Sequence, residues 1–227
     1  MRLAALFSGG KDSTFSIYLA KQAGHQVKYL ATVISENQDS FMYHTPNIGM
    51  AFLQSQCLGI QLVSKRSAGE KEKEVEDLKK LLKGLNIEGV LAGAIASKYQ
   101  NERVKKVCDE LSLKVETPLW GMDQGKLLKK MIDAGFEIIL TAVAAEGLGE
   151  KWLGRKIDLK ALKELKQLKK KYGINIAGEG GEYESLVLDC PLFQRRIEIT
   201  DSEKVWDKKT NSGKLLIKDA KLVRKEK

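Results

Sequence analysis

Cysteine and proline are scarce: the chain has three of each among 227 residues. Cys57, Cys108 and Cys190 are odd in number, far apart and never in a CxxC pair. Neither a disulfide framework nor a zinc site is therefore expected, and a reducing compartment fits best. No apolar run approaches the ~20 residues of a membrane-spanning helix, and Met1 to Phe7 is too short, and too soon followed by glycine and charge, to read as a signal peptide. No GxGxxG occurs, which excludes the dinucleotide fingerprint. A Walker A loop needs a glycine five positions before the Gly10-Lys11 pair, where the chain has Ala5. Internal repeats and low-complexity segments are absent too. With 43% hydrophobic and 30% charged residues, disorder is excluded as the main state, and a soluble, cytoplasmic protein with a sizeable core and no membrane partner is expected.

The 39 Lys+Arg residues exceed the 30 Asp+Glu, for a formal net charge of +9. The excess is uneven: residues 1–150 carry 19 basic and 18 acidic side chains, residues 151–227 carry 20 and 12. The C-terminal part is either a solvated lysine-rich surface or a face that meets an acidic macromolecule, and charge alone leaves both open.

Leu3 to Phe7 is a short apolar run that stops at Ser-Gly-Gly, and Ser13 to Ala23 has the composition of a helix ending near Gly24. That is strand, glycine turn, helix. Apolar runs recur at Val27 to Ile34, Ile60 to Val63, Ile87 to Ala92 and Phe136 to Val143. Between them, Val75, Leu78, Leu81, Leu82 and Leu85, then Val104, Val107, Cys108 and Leu111, then Leu127, Leu128, Met131 and Ile132 form one-sided helical stripes. Strands that are apolar throughout and alternate with helices predict a doubly wound α/β fold on a parallel sheet. Its chemistry belongs beyond the C-terminal strand ends, in the loops after Phe7, Ile34, Ala92 and Val143. This domain is expected to span residues 1–150.

Beyond Gly149 the texture changes. A helix through Leu159, Leu162, Leu165 and Leu168 is expected to end at Gly173, followed by the glycine and acid-rich Gly178 to Glu184 and the apolar Leu186 to Leu188. Two β-like stretches, Ile197 to Val205 and Lys214 to Val223, flank Asn211-Ser212-Gly213. Residues 151–227 thus read as a small α+β part.

Ser8-Gly9-Gly10-Lys11-Asp12-Ser13 sits between the first strand and the first helix. Paired glycines allow a sharp turn and bring bare N–H groups close to an anion, to which the helix start adds its positive end. The Ser8 and Ser13 hydroxyls and the Lys11 ammonium add donors at the same spot, each charge-assisted bond worth ~1.5 to 3 kcal/mol. A phosphate is the expected ligand, against a plain turn with Ser8 or Asp12 as a helix cap.

This stretch resembles the pyrophosphate loop of the PP-loop ATP pyrophosphatases, which have an adenine nucleotide α-hydrolase-like fold. The resemblance implies that ATP is split between its α and β phosphates to adenylate an acceptor oxygen, and that a nitrogen or sulfur nucleophile then displaces AMP. In that reading Ser8, Gly9, Gly10 and Ser13 hold the leaving pyrophosphate, Lys11 offsets its charge and Asp12 positions Mg²⁺.

Gly178-Glu-Gly-Gly-Glu-Tyr-Glu-Ser185 packs three carboxylates and a tyrosine among three glycines. Like charges so close repel, so a cation is expected nearby: Mg²⁺, an ammonium on the substrate, or Lys and Arg of the chain itself. Read on through Leu186-Val-Leu-Asp-Cys-Pro-Leu192, the segment is similar to the signature of the diphthine–ammonia ligase family, with Ser185 where Thr is usual. Gly93-Ala-Ile-Ala-Ser97, Tyr99-Gln100, Arg103-Val104 and Pro118-Leu-Trp120 extend the resemblance from Leu3 to about Phe193.

What the family implies is ATP-dependent amidation of the diphthine carboxylate on translation elongation factor 2, with ammonium as nitrogen source. Glu179, Gly180, Gly181, Glu182, Tyr183 and Glu184 become candidates for an acidic, aromatic recess around the trimethylammonium of diphthine, with Ser97, Tyr99, Gln100 and Arg103 also at the substrate. Lys11, Asp12, Glu182 and Glu184 are the candidates for catalysis; one glutamate could deprotonate the incoming ammonium.

Other residues stay divided at this stage. His44, after the second strand, either contacts nucleotide or caps a helix near Asn47, and Arg103 either reaches a phosphate or lies on a solvated helix face. Trp120 is expected to pack, and Gly147-Leu-Gly149 is either a lid over ATP or an ordinary loop. A homo-oligomer is expected without a pattern that specifies it. The competing functions are a PP-loop enzyme that adenylates a tRNA base, one that amidates a small-molecule carboxylate, and an ATP-binding module without chemistry.

Overall fold

The computed structural model describes residues 1–35, 49–68, 71–95 and 97–225. They form two compact units, one of residues 1–8 and 12–120, the other of residues 9–11 and 121–227.

In the first unit the chain runs β1 (Arg2–Leu6), α1 (Lys11–Gln22), β2 (Gln26–Ser35), α2 (Met50–Leu58), β3 (Gln61–Ser67), α3 (Lys71–Leu82), β4 (Gly89–Leu91), α4 (Lys98–Glu110) and β5 (Lys114–Glu116). The five strands make one parallel sheet in the order β3-β2-β1-β4-β5. Its strands read as unbroken apolar runs because helices cover them: Ala4, Ala31, Val33 and Val90 of the sheet pack with Val75, Leu78 and Leu82 of α3 and Val104, Val107 and Cys108 of α4. The stripes seen at three- and four-residue spacing are the faces that α3 and α4 bury.

In the second unit α5 (Gln124–Asp133) and α6 (Leu159–Tyr172) accompany β6 (Glu137–Val143), β7 (Tyr183–Asp189), β8 (Arg196–Asp207) and β9 (Ser212–Val223). The sheet order is β7-β6-β9-β8, antiparallel throughout. Asp123 caps α5 by accepting from the Lys126 N–H at 2.8 Å, and Asp158 caps α6 from the Ala161 N–H at 2.7 Å. The last turn of α6 closes on Gly173 at φ +74°, where its lysines complement the negative helix end.

Two features differ from the sequence reading. The run Phe136 to Val143 was expected in the parallel sheet of a 1–150 domain, yet β6 lies between β7 and β9, and the chain divides after Trp120. An interior strand covered on both faces is apolar throughout in either kind of sheet, so its composition carries no direction. β5 was not anticipated, since Lys114-Val-Glu116 has one apolar residue in three. Among the described residues no helix is long and apolar enough to cross a membrane.

Candidate active site

In the first unit β1 has β2 on one side and β4 on the other, so the strand order reverses where β1 ends. That switch point is where open α/β sheets place a ligand. The exit of β1 is pinned: the Phe7 N–H donates to the Ala31 carbonyl at 2.9 Å, and the Thr32 hydroxyl to the Phe7 carbonyl at 2.7 Å. Ser8 and Ser13 then converge, with the Ser8 N–H 3.4 Å and the Ser8 Oγ 3.3 Å from Ser13 Oγ. From β4, Gly93 closes on the same turn: a β-carbon there would lie 2.8 Å from the Asp12 carbonyl carbon and the Ser13 nitrogen. Two hydroxyls and a helix start gathered at a switch point form a donor set chemically suited to phosphate.

In the second unit Gly9, Gly10 and Lys11 lie along β7, the edge strand of its sheet. Gly9 takes φ +79°, open to glycine, and its carbonyl accepts from the Val187 N–H at 3.1 Å. The Lys11 N–H donates to Ser185 Oγ at 3.2 Å, and the Lys11 ammonium stands 5.2 Å from the centroid of the Tyr183 ring. Tyr183 and Ser185 are two apart on β7, so they share a face, and Glu184 points to the other.

The acidic segment ahead of β7 is braced by its own backbone. Glu182 accepts from the Asn175 N–H at 2.8 Å with one carboxylate oxygen and from the Gly180 N–H at 2.9 Å with the other. Its carbonyl accepts from Ala144 at 2.9 Å. The Tyr183 hydroxyl donates to the Ile176 carbonyl at 2.7 Å, and its ring lies against Gly178, where a β-carbon would meet ring atoms at 3.1 Å. Gly178 at φ +75° and Gly181 at φ +87° supply the turns. One of the three carboxylates is thus balanced by two N–H dipoles, while Glu179 and Glu184 are half-buried nearby in the chain.

The remaining candidates fall elsewhere. Ser97 precedes α4 and accepts through its carbonyl from the Asn101 N–H at 3.1 Å, Tyr99 and Gln100 lie in the first turn of that helix, and Arg103 is half-buried one turn on. His44 lies outside the described residues. Trp120 is 41% exposed, which corrects the expectation that it packs. The Gly147 turn is an anchored loop: Leu148 is fully buried, and a β-carbon on Gly147 would lie 2.6 Å from Leu168 and 2.8 Å from the Tyr172 ring. Among the described residues no three His, Cys, Asp or Glu gather as a metal site. Asp12 alone offers a carboxylate within the loop, which suits a cation such as Mg²⁺ that takes one or two carboxylates and completes its shell with phosphate and water.

Sequence reasoning missed two features here. The ties of Gly9 and Lys11 to β7 had no local signal. The other is a bracket in which Arg155 lies 4.2 Å over the buried Trp152 ring and donates two bonds, at 2.6 and 2.7 Å, to Glu164 of α6.

Two family models match the chain, the diphthamide synthase N-terminal domain over residues 1–115 and the diphthamide synthase C-terminal domain over residues 123–223. A curated relative from Bos taurus, named diphthine–ammonia ligase, is 40% identical over 228 residues, covering 90% of this chain and 85% of that one. One of the same name from Danio rerio is 40% identical over 90% of this chain and 89% of its own. For a third, from Schizosaccharomyces pombe, the 40% identity covers 90% of this chain but 37% of the longer relative. A solved structure, described as a predicted subunit of tRNA methyltransferase from Methanocaldococcus jannaschii, aligns with a TM-score of 0.47 at 18% identity, over 84% of this chain and 98% of that one. The two models meet the chain in the same order and divide it near Trp120, as the contacts do, and with relatives at this identity the chain belongs to the diphthine–ammonia ligase family.

Proposed function

We propose that the chain is an ATP-dependent amide ligase acting in the cytoplasm, whose acceptor is the diphthine carboxylate of translation elongation factor 2 and whose nitrogen source is ammonium. The observation that carries this reading is the pairing, within one unit, of Gly9–Lys11 with the strand that continues the Glu-Gly-Gly-Glu-Tyr-Glu-Ser segment. A phosphate-binding turn alone would serve any PP-loop enzyme.

ATP supplies the activation: the acceptor carboxylate takes the adenylyl group with loss of pyrophosphate, and ammonia then displaces AMP. The chain's own residues bind, orient and balance charge. Ser8 and Ser13 donate hydroxyl bonds to the departing phosphates, and Gly9 and Gly10 let backbone approach them. Lys11 offsets their negative charge, and Asp12 would hold the Mg²⁺ that accompanies the nucleotide. Glu182, its two oxygens engaged by backbone N–H groups, keeps the turn in shape. Glu179 and Glu184, half-buried in the same segment, are the candidates to face a cation, the trimethylammonium of diphthine or the ammonium whose proton must leave before nitrogen can attack. Ser97, Tyr99, Gln100 and Arg103 stand at the start of α4 as further candidates for acceptor contact. Three buried cysteines, none in a disulfide, accord with a reducing cytoplasm.

The test is to incubate the protein with ATP, Mg²⁺, ammonium and diphthine-bearing elongation factor 2, following AMP release and the mass of the modified histidine. Release of AMP with conversion of the carboxylic acid to its amide is the expected result. ATP binding with neither product would reject this acceptor and point to a tRNA base or a small carboxylate.

A further inference from the structure

Tyr183 and Ser185 sit in the segment that the family resemblance assigns to the acceptor, yet the partner they share is Lys11 of the pyrophosphate loop. The arrangement is built rather than incidental. Positions 183, 185 and 187 alternate along β7, so one strand register sets all three ties: ring to ammonium, hydroxyl to the Lys11 N–H, and the Val187 N–H to the Gly9 carbonyl. The ring is itself held, by its hydroxyl on Ile176 and by Gly178 against its flank, and is 4% exposed. Lys11 is 3% exposed, and at such burial the placement of an ammonium is set by what surrounds it.

The chemistry of the two contacts suits a residue that must still meet an anion. A ring face attracts an ammonium through its quadrupole and takes none of its three N–H donors, whereas a carboxylate there would accept from it directly and compete with phosphate. The serine hydroxyl, in turn, fixes the Lys11 backbone without adding charge.

We propose that Tyr183 and Ser185 are positioning residues for Lys11, so that the face of β7 they share serves the nucleotide. The inference rests on the assignment of the loop to ATP and is independent of which acceptor the enzyme uses.

Calorimetric titration of the full chain with Mg-ATP, without acceptor, tests it. Tyr183→Leu and Ser185→Ala are expected to weaken binding about 3- to 30-fold, the worth of one such contact. Tyr183→Phe, which keeps the ring, and Ser185→Thr, which keeps the hydroxyl, should each recover most of that loss. In a Lys11→Ala background Tyr183→Leu should cost nothing further, because it acts through the ammonium; a residue that merely supports the fold would give additive losses and overturn the proposal. Wild-type ATP affinity in Tyr183→Leu together with a raised KM for the acceptor protein would likewise overturn it, placing the ring at the substrate cation. Should Tyr183→Leu fail to fold, as thermal melting would reveal, Ser185→Ala decides: unchanged ATP affinity there rejects the proposal. A chain that binds ATP in this pattern but amidates no elongation factor keeps the inference and loses the acceptor proposed above.

Discussion

Gly93 stands so close to the start of α1 that a β-carbon on it would lie 2.8 Å from the Asp12 carbonyl carbon and the Ser13 nitrogen. Both atoms are backbone at a hydrogen-bonded turn, so neither yields as a flexible side chain would. Gly93→Ala is therefore expected to push α1 away from β4, costing about 1 to 3 kcal/mol of stability and weakening ATP binding. Urea unfolding and calorimetry read the two effects. Wild-type values for both would mean that the turn relaxes freely.

Glu182→Gln separates bracing from catalysis. The carboxylate accepts two backbone N–H bonds, and a glutamine would present an NH₂ group to one of those donors. A loss of about 0.5 to 1.5 kcal/mol is expected on denaturation, the net worth of one hydrogen bond at a partly exposed turn. Unchanged stability with abolished turnover would instead return Glu182 to a direct chemical role.

The Arg155 bracket predicts a pH dependence. The two-pronged bond from Arg155 holds the Glu164 carboxyl below its usual range, so this contribution is present above about pH 4.3 and fades as pH falls through the lowered value. The pair is partly exposed, which limits its worth to about 0.5 to 1 kcal/mol. Glu164→Gln should lower stability by that amount at pH 7 and by progressively less in acid, as paired unfolding curves would show.

The cysteines should be inert. Cys57, Cys108 and Cys190 are all buried, and burial pushes Cys108 and Cys190 up to about 12. At pH 8 the native protein is expected to leave a thiol reagent essentially unreacted, with all three sulfhydryls appearing on unfolding. Rapid labelling of any one in the folded chain would contradict this.

Much of the fold was legible because its signals are local. The apolar runs of β1, β2 and β4 and the stripes of α3 and α4 each lie within a dozen residues, and the glycine turn announces itself between a strand and a helix. The partners of those elements were not legible in the same way. An apolar run does not say which sheet it joins, which is why β6 was expected among parallel strands and is found between β7 and β9. At the site, the residue types of the loop and of the acidic segment were readable, but their grouping was not. Glu182 spends its charge on Asn175 and Gly180, a matter of turn geometry, and Ser185 looked like a variant of threonine until its oxygen was found on the Lys11 amide. Gly147 left lid and loop undecided until Leu168 and Tyr172 closed on it.

Lys11 and Ser185 are 174 positions apart. During synthesis the pyrophosphate loop leaves the ribosome long before the strand that clamps it exists, so a nascent chain that has completed its parallel sheet carries the motif's letters without its grip. The converse holds for a fragment beginning after Trp120: β7 would present a bare edge where Gly9 now sits, an invitation to pair with another copy. On the ATP reading proposed above, nucleotide binding would come only after β7 has been made.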